Sequence, residues 1–120
     1  PFIFVVLLIV AVFCLSTQVF AESGWAGTWQ SDWGDMSIKQ DGDTVTGTYT
    51  HKDGTINGKL SDGGKVLKGT WTQSPTHKPN DDAGAFVFIL SDDGKTFTGS
   101  WWYGFDTGKD PYGTWSGTRK

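Results

Sequence analysis

"INGKLSDGGKVLKGTW", residues 56–71, overlays "FVFILSDDGKTFTGSW", residues 86–101, without a gap at an offset of 30 positions. In both stretches two runs of period-2 alternation flank an Asp/Gly turn, the pattern of a β-hairpin. "MSIKQDGDTVTGTY", residues 36–49, is the same hairpin with its turn two residues shorter. Three hairpins of one design, with one strand before and one after, give eight strands, expected at 24–30, 33–40, 43–50, 54–61, 65–72, 84–91, 95–103 and 111–118. The words between them, "QDGDT", "HKDGT", "SDGGK" and "SDDGK", supply turn residues, and short turns make neighbours pair antiparallel. Only "TQSPTHKPNDDAG" (72–84) and "YGFDTGKDPYG" are longer loops.

The alternation sorts the side chains into two faces. Val45, Gly47 and Tyr49 share one face, as do Leu67, Gly69 and Trp71, and Phe97, Gly99 and Trp101; Met36, Ile38, Ile56, Leu60, Phe86, Phe88 and Leu90 fall with them. The opposite face carries Thr44, Thr46, Thr48, Thr50, Thr70, Thr72, Thr96 and Thr98. Eight short strands with a single oily face can bury it by closing on themselves, so the expected fold is all-β, one antiparallel up-and-down (meander) barrel. The glycines that precede each large ring on the inward face relieve crowding and leave room for a neighbouring ring.

Residues 1–21, "PFIFVVLLIVAVFCLSTQVFA", carry no charge. The run from Phe2 to Leu15 has the length of a signal-peptide core and is shorter than the roughly 20 residues of a membrane span. It reads as a signal peptide truncated at its start or, if retained, as a hydrophobic helix of the kind that anchors a protein or builds a filament. The single Cys14 lies within it, after Phe13, which is too large for lipoprotein processing. The domain proper is therefore expected at 22–120, secreted, periplasmic or on the cell surface, and it has no cysteine. A core of that size without disulfides rests on aromatics: all seven Trp, all three Tyr and four of the eight Phe lie in it.

Net charge is −3 and the lysines are scattered singly, which argues against nucleic acid and against a basic membrane-binding face; membrane contact is expected only through residues 1–21. His51 and His77 both lie in or beside turns, and no nucleophile-elbow sequence such as G-x-S-x-G is present. The Asp-Gly turns lack the spaced acids of a calcium loop. No catalytic residue, metal or cofactor is expected, and the protein reads as a non-enzyme. Two binding surfaces remain. The interior, lined by Trp29, Tyr49, Trp71, Trp101 and Trp115 with Ser31, Asp35 and His51 at its rim, is either filled by side chains or open at one mouth to a small molecule. Val87, Ile89 and Trp102 break the polar outer face on adjacent strands, as an oligomer or protein-partner surface would, unless a bulge at Trp101-Trp102 changes their facing.

"GTWQSDWGDMSIKQDGDTVTGTYTHKDG" (27–54) resembles the first three strands of the avidin family, and "GTWSGT" is similar to a later one. The resemblance implies an eight-stranded calycin-type barrel that binds biotin and tetramerises. It matches Tyr49 to a tyrosine that bonds the biotin ureido oxygen. Ser31, Asp35 and His51 stand where the family has asparagine, serine and serine, so the architecture carries over and the ligand does not. The expectation is an exported, non-catalytic barrel with a small, partly apolar ligand; the alternative is a protein-interaction module, either protease-inhibitor-like or, with 1–21 retained, a surface or filament subunit.

Overall fold

The computed structural model describes residues 24–120; the leader or helix expected at 1–21, with Cys14, lies outside the described residues. Eight strands follow in order: β1 (Gly27–Ser31), β2 (Gly34–Asp41), β3 (Thr44–Tyr49), β4 (Gly54–Ser61), β5 (Val66–Thr72), β6 (Ala83–Leu90), β7 (Thr96–Trp101) and β8 (Gly113–Arg119). Each pairs antiparallel with the next, and β8 returns to β1 through Trp29↔Arg119, Gln30↔Thr118 and Ser31↔Gly117, so the sheet closes into a meander barrel. This is the architecture to which avidin-type and calycin barrels conform. Among the described residues there is no α-helix, only 3₁₀ turns at His51–Asp53 and Asp62–Gly64.

The period-2 pattern sets the facing. Met36, Ile38, Val45, Tyr49, Ile56, Leu67, Trp71, Phe86, Phe88, Phe97 and Trp115 are buried with Trp25 and Trp29 in one core, while the threonines of β3 and β7 face outward. Rings pack closely inside it: Phe88 lies 4.3 Å from both Phe86 and Phe97, and Trp115 meets Phe88 edge-on at 5.1 Å. Burying each such side chain contributes roughly 1.5–3 kcal/mol. Inward glycines make the space. Tyr49↔Gly54, Trp101↔Gly113 and Phe97↔Gly117 are register partners, and a Cβ at Gly54, Gly113 or Gly117 would lie 2.0, 2.8 or 2.3 Å from the ring opposite. A ring lying over a cross-strand glycine is the packing that lets a narrow barrel coil.

The two ends of the barrel differ. At one, Trp25 closes the opening: its N–H donates to Gln40 Oε1 (2.9 Å), its indole N–H to the Gly64 carbonyl (2.8 Å), and its own carbonyl accepts from Trp29 Nε1 (3.0 Å). Arg119 completes the closure. Its guanidinium stands 4.3 Å from the centre of the Trp29 ring and donates to the carbonyls of Ala26 (2.7 Å), Gly94 (3.1 Å) and Gly24. The β6–β7 turn at this end is held by Asp93, which accepts from Ser91 Oγ (2.6 Å) and the Lys95 N–H (3.0 Å); these bonds hold its carboxyl below the usual range.

The other end gathers the β1–β2, β3–β4, β5–β6 and β7–β8 connections. The long β5–β6 loop folds back on its neighbours: the Gln73 N–H donates to the Asp82 carbonyl (2.7 Å), and the Ser74 N–H to the Lys52 carbonyl (2.8 Å). The β7–β8 excursion departs from expectation. The ladder of β7 ends at Trp101 rather than 103, yet 102–104 stays against β6: the Trp102 N–H donates to Ala85 (2.9 Å), Ala85 to Gly104 (2.9 Å) and Gly104 to Ala83 (3.1 Å). The Trp102 carbonyl comes so close that a Cβ on Gly84 would lie 1.8 Å from it. Trp102 is consequently only 8% exposed, its ring outside the barrel wall with its indole N–H bonded to the Lys109 carbonyl (2.9 Å).

Candidate functional site

The open end holds a cavity of about 150 Å³. Trp71, Trp101 and Trp115 reach it from β5, β7 and β8 as inward positions of the alternation. Trp33 comes from the β1–β2 turn, His51 and Lys52 from the 3₁₀ turn between β3 and β4, Gln73 from the end of β5, and Tyr103 from the β7–β8 excursion. The rings stand nearly at right angles: Trp33 to Trp101 at 5.8 Å and 86°, Trp71 to Trp101 at 5.7 Å and 88°, Tyr103 to Trp101 at 5.1 Å and 83°. Edge-to-face pairs of this kind are a favoured geometry for aromatic rings, and here they wall the cavity on several sides. Tyr112 extends the aromatic surface to the rim, 4.6 Å from Tyr103 and 5.3 Å from Trp101.

The seven tryptophans divide by the fate of their indole N–H. Trp25, Trp29, Trp71 and Trp102 each donate to a backbone carbonyl, those of Gly64, Trp25, Trp102 and Lys109. Trp33, Trp101 and Trp115 are buried at Nε1 with no partner among the described residues, and all three line the cavity. A buried donor left unpaired costs about 1–3 kcal/mol, and such groups are rare enough that each calls for an explanation. Lys52 forms no ion pair among the described residues, and no carboxylate lines the cavity. Asp82, whose carboxylate feels the charge of Lys52, is occupied by the Thr76 N–H (3.0 Å) and Oγ (2.6 Å).

Of the ligand-binding residues expected from sequence, His51, Trp71, Trp101 and Trp115 come together here. Tyr49 lies behind the wall, its ring edge-on to Trp115 at 5.0 Å and its oxygen accepting from Gln73 Nε2 at 2.8 Å; burial pushes its phenol up to about 12. Trp29 does not reach the cavity: it is fully buried toward the closed end, against Phe97 at 5.4 Å. Ser31 serves the turn, its hydroxyl donating to the Gly34 carbonyl (2.7 Å) and accepting the Trp33 N–H (3.2 Å), which positions Trp33. Asp35 faces outward and pairs with Lys120 at 3.0 Å. On the outer wall Val87 is half-buried, Ile89 is 53% exposed and Trp102 is covered, so these three do not form one open patch.

The residues added by the structure are Trp33, Lys52, Gln73 and Tyr103. Trp33 had a legible signal, a large ring at the start of the strand expected at 33–40 on the face it shares with the polar Asp35, Ser37 and Lys39; Lys52 and Gln73 looked like ordinary turn and loop residues. Among the described residues no three His, Cys, Asp or Glu side chains group as a metal site. No protein family model matches the chain, and no curated protein or solved structure shows significant similarity to it.

Proposed function

We propose that this protein is an exported, non-catalytic binding barrel that takes one small, partly apolar ligand at the mouth walled by Trp33, Trp71, Trp101 and Tyr103. The observation that supports this reading is the division of the indole N–H groups. Every tryptophan away from the cavity has its donor paired, and the three unpaired donors all belong to cavity residues. These unmet polar groups concentrate at the open mouth, the end where the packing leaves room for a ligand. The lining sets no carboxylate beside His51, so an acid–base pair is not assembled there. The uncharged stretch at 1–21, read as a signal peptide, supports export. The barrel would then act as avidin-type and lipocalin-like carriers do, with a ligand of its own: Ser31 and Asp35, matched by resemblance to biotin contacts, are engaged with Gly34 and Lys120 instead.

Tryptophan emission titrated with a small-molecule library tests the proposal. Saturable quenching or a blue shift, lost in Trp101→Ala while the far-ultraviolet spectrum is kept, is expected; a library that leaves emission unmoved sinks it. The second reading, a protein-interaction module, draws on the exposed Phe105 (57%), Tyr112 (72%) and Ile89. A concentration-dependent multimer in sedimentation that Ile89→Ser or Tyr112→Ser dissolves would favour it.

A further inference from the structure

We infer that the ligand is a one-ring planar carboxylate, with its ring in the aromatic box and its acid directed to Lys52; this deepens the binding reading and rests on it. Three observations converge. The first is size. A cavity of about 150 Å³ is what a single benzene ring fills. The second is hydrogen-bond polarity. The Lys52 ammonium can only donate, and no carboxylate lines the cavity to occupy it. An anionic acceptor matches the ammonium that this lining presents. The third is charge. Perpendicular aromatic rings also form cages for quaternary ammonium groups. Here the charged side chain at the rim is a lysine without an ion pair, and Asp82 is held by Thr76, so a cation would meet like charge and find no counter-ion.

Three probes of one shape but different charge test this: benzoate, benzamide and benzyltrimethylammonium, each titrated calorimetrically and followed by the indole N–H proton resonances. Benzoate is expected to bind about two- to fivefold more tightly than benzamide, the size of an exposed ion pair, with the preference fading at high salt. Lys52→Met should abolish that preference and Lys52→Arg should keep it; Lys52 is exposed, so both substitutions spare the core. The indole resonances of Trp33, Trp71, Trp101 and Trp115 should shift, and those of Trp25, Trp29 and Trp102 should not. Equal or tighter binding of benzamide or the ammonium overturns the acid and leaves the pocket standing. Silence from all three probes also overturns the acid, and the pocket itself then stands or falls with the wider library titration.

Discussion

Gly54 and Tyr49 show at the scale of one residue how this barrel is packed. They are register partners, and the phenol ring lies where any side chain on Gly54 would go, 2.0 Å from its Cβ position. Gly54→Ala forces either the ring or the strand to move, and overpacking of this kind costs about 1–3 kcal/mol; the loss should appear as a lower urea midpoint with an unchanged slope. Tyr49 carries a second consequence. Burial raises its phenol from 10.0 to about 12, only partly offset by the bond from Gln73, so the fold prefers the neutral form. Its stabilising contribution is therefore complete below pH 10 and is lost as pH rises towards 12. Stability of the wild-type chain should fall over that window more steeply than that of Tyr49→Phe; parallel profiles for the two would show that the ring is not desolvated.

At the scale of the element, the hairpins were legible because alternation and turn chemistry agreed from β2 to β5, and the apolar run of β6 was placed by its gapless match to β4. The β7–β8 excursion was not, because Trp101, Trp102 and Tyr103 are three aromatics in succession and present no period-2 contrast. Packing decides their directions: Trp101 turns in against Trp33 and Trp71, Trp102 turns out under the segment that runs to Lys109, and Tyr103 stands at the mouth. The glycine at position 84 belongs to the same arrangement, since it admits the Trp102 carbonyl. Trp102 is thus a clasp that fixes the excursion carrying Tyr103. Trp102→Ala should cost about 3–5 kcal/mol and speed amide exchange at Ala85 and Gly104, which are bonded to this segment. Exchange unchanged at those two amides would mean the excursion holds without the clasp.

At the scale of the molecule, the proposed function gives the barrel a closed end that carries stability and an open mouth that takes the ligand. The period of the sequence placed Trp29, Trp71, Trp101 and Trp115 inside but could not say at which end each would fall, because height along a closed barrel depends on the stagger of eight strands. That stagger sets Trp25 and Trp29 beneath Arg119 and leaves Trp33, Trp101 and Trp115 around the cavity with their donors unpaired. The same limit explains why Lys52 and Gln73 escaped notice: each gains its meaning from strands distant in the chain. The two ends should separate in experiment. Arg119→Ala removes a cation–π contact and three carbonyl partners, an expected loss of about 2 kcal/mol, or about 10 °C in Tm for a domain of this length. Ligand-induced quenching at the far mouth should keep its midpoint at temperatures where the variant is folded. Lys52→Met should do the reverse, holding Tm and shifting the midpoint. A barrel whose core transmitted strain from end to end would instead show both readouts moving together in both variants, and the division of labour proposed for its ends would not hold.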